Sequence, residues 1–156
     1  MSILSKNNPA ISELEGAVER AVFETMENWI FAEAIRVKND EWIPSILRES
    51  ASIRLGSFGE LELFLEPGFL TGVAKALFAP DESIPTPEKK EDVFLELLNL
   101  IAGRAAAFLN EKGFAIEMNL PRIEIRRDLP KRDTIYWTFW SESLGKMIVV
   151  YSPCKT

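Results

Sequence analysis

Residues 92–112 constrain the fold most, because they combine a broad apolar face with a narrow set of polar residues at helical spacing. At about 100° per residue, one side of this helix carries what we call the polar stripe: Asp92, Glu96, Asn99, Gly103 and Asn110. The opposite side is apolar: Phe94, Leu97, Leu98, Ile101, Ala105, Phe108 and Leu109. An apolar arc of this width predicts a helix that lies across a sheet. Gly113 suits the left-handed backbone conformation that commonly ends a helix.

The rest of the chain shows the periodicities of two more helices and several strands. Helical spacing predicts helices at 9–26 and 68–79. Alternation and β-branched or aromatic content predict strands at 31–37, 51–55, 60–65, 114–118, 122–126, 135–140 and 147–151. Gly56-Ser57-Phe58-Gly59 joins two of these strands into a hairpin with one buried face, and a proline-rich linker is expected at 80–87. An irregular segment is expected around Asn39, Asp40 and Pro44.

Together these elements predict an α+β fold. The expected architecture is a single-domain α/β sandwich over residues 1–156, with a mixed, mostly antiparallel sheet and the long helix packed on it. A chain of 156 residues with 47% hydrophobic content is long enough for one core and too short for two ordinary domains.

Charge and hydropathy exclude several classes of partner. The formal net charge of -6 opposes the basic surface that nucleic acids and anionic membranes require. The N-terminal residues have no signal-peptide core, and no apolar run has the length of a membrane span. We therefore expect a soluble, cytoplasmic protein.

The chain contains no histidine, which limits the chemistry available to it. Serine–histidine and cysteine–histidine nucleophiles, histidine phosphotransfer and the commonest metal ligand are all excluded. Cys154 is the single cysteine, so no intrachain disulfide or cysteine metal cluster is expected.

Three other groups of residues carry weaker signals. Glu13, Glu15 and Glu19 could form an acid–base or metal cluster, but a solvent-facing helix surface is the simpler interpretation. A basic run is either a solvated loop or a docking patch: Arg122, Arg126, Arg127, Lys131 and Arg132. The aromatic strand 135–140 is apolar on both faces, which indicates either a central strand or a contact with a second chain.

The polar stripe resembles the signature of a known family. Asp92-x-x-x-Glu96-x-x-Asn99-Leu100-Ile101-Ala102-Gly103, a helix end at Lys112-Gly113 and the run Leu120-Pro121-Arg122-Ile123 are similar to CheX-like members of the CheC/CheX/FliY chemotaxis phosphatases. The order of the earlier helix and hairpin is similar as well, so the resemblance extends over nearly the whole chain.

The resemblance implies a phosphatase that removes the aspartyl phosphate of a CheY-type response-regulator receiver domain. Asn99 would position the attacking water and Glu96 would engage the receiver's lysine, while Asp92 and Gly103 would contact the partner. The protein would need no cofactor of its own, because the receiver brings Mg²⁺. Arg104 departs from many relatives and could alter partner choice.

The resemblance also implies one active site and a homodimer. Glu24-Thr25-Met26-Glu27 lacks the asparagine that a second signature in the first helix would carry. Dimerisation would occur by sheet pairing, with the strand at 135–140 as its physical candidate.

Two other functions use the same residues. In one, a noncatalytic binding module uses the polar stripe for hydrogen bonds across an interface. For Asp92 alone, helix N-terminal capping or a favourable interaction with the helix dipole is an equally good explanation. In the other, the stripe merely faces solvent and the fold serves self-assembly through the aromatic strand.

Overall fold

The computed structural model describes residues 9–38, 49–78, 85–125 and 134–154, with the side chain of residue 125 left out. The helices are α1 (Ile11–Thr25), α2 (Phe69–Leu77) and α3 (Pro87–Glu111), and α1 continues into a π-helical turn (Met26–Ile30). The strands are β1 (Ile35–Val37), β2 (Glu49–Arg54), β3 (Gly59–Leu65), β4 (Arg122–Ile125), β5 (Ile135–Ser141) and β6 (Gly145–Pro153).

The strands form one six-stranded sheet in the order β1-β5-β6-β3-β2-β4. Every pairing among the described strands is antiparallel, as in β3 with β6, where Leu63 lies opposite Val149. This arrangement confirms the α+β class and the predicted hairpin of β2 and β3.

The main core lies between the helices and one face of the sheet. Helices α1 and α3 pack side by side, and their apolar faces share one buried cluster with inward side chains of the strands. The members of α3 in this cluster include Val93, Phe94, Leu97, Leu98, Ile101, Ala105 and Leu109. The predicted apolar arc of this helix is therefore its core face, which turns the polar stripe outward.

The hairpin prediction of a single buried face was wrong. Glu62 is 2% exposed, and Phe64 on the same face of β3 is buried against Ile148 and Val150. Leu61 and Leu63 are buried in the main core on the opposite face, so both faces of β3 are covered. The buried Glu62 carboxylate accepts a hydrogen bond of 2.5 Å from the Ser50 hydroxyl, which offsets part of the desolvation cost.

Helix α3 begins at Pro87, five residues before the predicted start. Thr86 is its N-cap, because the Thr86 hydroxyl accepts a hydrogen bond of 3.2 Å from the Lys89 backbone N–H. Pro87 occupies the first helical position, where its missing N–H costs nothing. The linker prediction was wrong at this end, and residues 80–84 lie outside the described residues.

Other boundaries differ as well. The predicted strand at 114–118 is absent, and the strand expected at 31–37 is limited to Ile35–Val37. Gly113 adopts the left-handed conformation predicted for the end of the long helix, with φ 99°. Asn39, Asp40 and Pro44 lie outside the described residues, as do Arg126, Arg127, Lys131 and Arg132 of the basic run.

Candidate active site

Burial of the apolar face of α3 fixes where its polar residues point. Leu97 and Ile101 are fully buried. On the other side, Asp92 and Glu96 are exposed, while Asn99 and Gly103 are partly exposed. The structure therefore places these four residues on one accessible face, as the sequence predicted.

Glu96 and Asn99 are neighbours on this face. They are three residues apart in regular helix, which separates their Cβ atoms by about 5–6 Å. Among the described residues, neither side chain has a hydrogen bond or ion pair with another side chain or with the backbone. A carboxylate and an amide thus stand together with their hydrogen-bonding capacity available to an external group.

The explanation of Asp92 as a helix cap was wrong. Thr86 is the cap and Glu88 is the acidic residue of the first turn, so Asp92 lies beyond the region where the helix dipole acts strongly. Asp92 instead lies one turn before Glu96, and like charges at this spacing destabilise a helix by a few tenths of a kcal/mol. Neither Asp92 nor Glu96 takes part in an ion pair among the described residues, so no cation of the fold offsets this repulsion there.

Gly103 is not required by internal packing. It lies in regular helix without a positive φ, where glycine costs about 1 kcal/mol relative to alanine. A Cβ built on Gly103 would lie 3.6 Å from Cε of Met118, which is an ordinary van der Waals contact. Alanine would therefore fit at this position without a clash against the described residues.

Asn110, the last member of the polar stripe, has a structural role. Its Oδ1 accepts a hydrogen bond of 2.8 Å from the backbone N–H of Ile116, whose side chain is buried. This contact fixes the segment that follows α3. Periodicity alone could not separate Asn110 from the residues that remain available for a partner.

A charged network joins α3 to α1 beside this face. Arg104 Nη1 lies 3.4 Å from Glu24 Oε2, and Arg20 Nε lies 3.2 Å from Glu24 Oε1. The Arg20 guanidinium also stacks over the Phe108 ring, 3.9 Å from its centroid. Arg104, for which the family resemblance suggested a role in partner choice, is thus held by an ion pair between α3 and α1.

The glutamates of α1 do not form an acid–base cluster. Arg36 Nη1 of β1 lies 2.8 Å from Glu15 and 3.0 Å from Glu19, so this arginine clamps the edge strand onto α1. Glu13 accepts a hydrogen bond of 3.3 Å from the Ala10 backbone N–H. Within the described ranges, no group of three Cys, Asp or Glu side chains is arranged to hold a metal ion.

The aromatic strand is internal to the sheet. β5 lies between β1 and β6, with Trp137 and Phe139 in the core and Tyr136 and Trp140 exposed on the other face. The edges of the described sheet are β1 and β4. Strand 135–140 was therefore the wrong candidate for edge pairing, and dimerisation itself stays a prediction.

No helix in the described part of the chain is long and apolar enough to cross a membrane.

Several solved structures have a similar fold. CheX from Vibrio vulnificus is 18% identical with a TM-score of 0.72, and the match covers 92% of this chain and 98% of that one. CheX from Desulfovibrio desulfuricans is 17% identical with a TM-score of 0.74, covering 90% and 99%. The CheX–CheY–BeF3–Mg²⁺ complex from Borrelia burgdorferi matches at 15% identity and a TM-score of 0.66, covering 94% and 99%.

No protein-family model and no curated protein matches the chain. The structural matches nevertheless cover about nine tenths of it, and they show that it has the CheX-like fold that the sequence resemblance implied.

Proposed function

We propose that this protein hydrolyses the aspartyl phosphate of a CheY-type response-regulator receiver domain. The observation that carries the proposal is the pair of Glu96 and Asn99, displayed without partners among the described residues on a helix whose other face is buried. The CheX-like fold supports it, because one solved structure of this fold is a complex of CheX with CheY, BeF3 and Mg²⁺.

The chemistry of the two side chains suits this reaction. Hydrolysis needs a water molecule in line with the bond between phosphorus and the aspartate oxygen, and an amide can accept a hydrogen bond from that water and orient it. The water oxygen bonds to phosphorus as the bond to the aspartate oxygen breaks, which releases the aspartate carboxylate and inorganic phosphate. Asn99 would orient the water without histidine.

Glu96 would dock the partner and position the site. Its carboxylate is exposed one turn before Asn99, where it can form an ion pair with the receiver's lysine. The receiver supplies the Mg²⁺ that neutralises charge on the phosphoryl group, so this chain needs no metal site of its own.

Asp92 and Gly103 would extend the contact along α3. Asp92 places a second carboxylate one turn before Glu96, where a cationic group of the partner would relieve the repulsion between the two. Gly103 would let the partner approach the helix backbone closely.

The direct test is the decay of receiver phosphate with and without this protein. We expect Asn99→Ala to reduce the acceleration of phosphate decay by about a hundredfold or more, because it removes the group that orients the water. Asn28→Ala is the matched control, since Asn28 is exposed on the π-helical turn outside the polar stripe. Equal acceleration by wild-type protein and correctly folded Asn99→Ala would exclude the proposed mechanism.

The same measurement separates catalysis from recognition. A noncatalytic module would bind activated receivers and leave their phosphate decay unchanged. Glu96→Gln should mainly raise the receiver concentration needed for half-maximal acceleration, because it removes the charge of the docking carboxylate and keeps its size.

A further inference from the structure

We propose that the segment after α3, residues 114–121, forms a second part of the receiver-docking surface, with Met118 as its apolar contact. The inference rests on the proposed function, because it names a new contact for the same partner. It depends on a different part of the molecule from Glu96 and Asn99, namely a fixed chain segment beside the exposed face of α3.

The segment is held in place although it contains no helix or strand. Near α3, the Phe114 N–H donates to the Leu109 carbonyl at 3.2 Å, and Ile116 inserts its side chain into the core. Farther along, the Asn119 N–H donates to the Arg54 carbonyl at 3.0 Å. These contacts fix the backbone on both sides of Met118, so its position does not depend on a partner.

Met118 lies against the proposed docking face. Its Cε is 3.6 Å from the point where a Cβ on Gly103 would be, and the residue remains 37% exposed. The glycine therefore creates a shallow step in α3, and Met118 forms one side of it. A methionine is suited to this position, because its unbranched thioether adapts to an incoming surface.

The receiver of the proposed function is large enough to occupy this step as well. Gly103 follows Asn99 by four residues, which is about 6 Å along the helix axis. An interface of standard size covers about 800 Å² on each partner, equivalent to a disc with a radius of about 16 Å. A receiver that places its phosphorylated aspartate at Asn99 would therefore also cover Gly103 and reach Met118.

Binding measurements can test this contact independently of hydrolysis. We would measure the affinity of CheY-type receivers, activated with beryllofluoride and Mg²⁺, for wild-type protein and three variants. We expect Met118→Ala to weaken binding about fivefold and Met118→Leu to change it by less than about twofold, because leucine retains the apolar volume. The matched control is Ile35→Ala, since Ile35 is an exposed apolar residue on β1, at the opposite edge of the sheet.

Phosphate decay supplies the second readout. At saturating receiver, Met118→Ala should reach the wild-type maximal rate within about twofold, because Glu96 and Asn99 are intact, while its half-saturating receiver concentration rises about fivefold. An unchanged half-saturating concentration in folded Met118→Ala overturns the inference, as does an equal loss in Ile35→Ala.

The two proposals fail in different ways. If wild-type protein binds activated receivers but does not accelerate phosphate decay, the proposed reaction is wrong and the docking contact is still decided by affinity. If wild-type protein accelerates decay and Met118→Ala binds as tightly as wild type, only the docking contact is wrong. Absence of binding to every receiver tested would remove both.

Discussion

Replacing Gly103 by alanine should stabilise the fold and weaken its function. Glycine in the interior of a helix costs about 1 kcal/mol relative to alanine. The added methyl group would meet Met118 Cε at 3.6 Å, so no steric penalty offsets the gain. We therefore expect the free energy of unfolding to rise by about 1 kcal/mol, which corresponds to about 2–4 °C in the melting temperature of a domain of this size.

Gly16 provides the matched control for this substitution. It lies within α1, and a Cβ built there would have no atom within 4 Å. Gly16→Ala should thus give a similar stabilisation of about 1 kcal/mol in urea or thermal unfolding. Because Gly16 lies outside the polar stripe, its replacement should leave receiver binding unchanged.

The functional consequence distinguishes the two glycines. On Gly103 the methyl group would stand in the step that the partner is proposed to fill, and overpacking a close interface costs roughly 1–3 kcal/mol. Receiver affinity should therefore fall about tenfold in Gly103→Ala and stay constant in Gly16→Ala. A destabilised Gly103→Ala beside a stabilised Gly16→Ala would refute the reasoning, because it would mean that packing within the fold requires the glycine.

Other substitutions test the framework around the site. Asn110→Ala should lower the free energy of unfolding by about 1–2 kcal/mol, measured by urea denaturation, because the Ile116 N–H loses its acceptor. Arg36→Met should destabilise by roughly 1–2 kcal/mol and make stability less sensitive to salt, because it breaks the partly buried clamp between β1 and α1. Burial raises the pKa of Tyr151 above its ordinary value of about 10. The contribution of Tyr151 to the free energy of unfolding should therefore be complete below pH 10 and decline as the pH rises through the higher folded-state pKa. The Tyr151→Phe variant should not show this decline. A constant difference between wild type and Tyr151→Phe from pH 9 to 11.5 would contradict that assignment.

The tethering of Arg104 bears on how this surface selects a partner. Glu24 binds both Arg104 and Arg20, so one carboxylate is shared by two guanidinium groups and the positive charge beside the polar stripe is only partly neutralised within the protein. All three side chains are partly exposed, and exposed pairs of this kind contribute at most about 1 kcal/mol. A partner carboxylate could compete for Arg104 at small cost, and the network therefore shapes the charge of the docking face more than the stability of the fold.

Local pattern alone determined the central part of this molecule. The apolar arc of α3 and the outward position of Glu96 and Asn99 follow from a period of 3.6 residues within one helix. The β2–β3 hairpin follows equally from alternation around a glycine-containing turn. The true start of α3 was also encoded locally, since Thr86 followed by Pro87 is a helix-start signal that the neighbouring prolines obscured.

Only the tertiary structure decided how residues far apart in the chain meet. The clamp of Arg36 on α1, the hydrogen bond between Ser50 and Glu62 and the approach of Met118 to the Gly103 position all join separate elements. Sequence spacing carries no information about such pairs, because their distances depend on strand order and on how the helices cross the sheet. For the same reason, the sequence left open whether β5 is a central strand or a contact with a second chain, and the strand order places it inside the sheet.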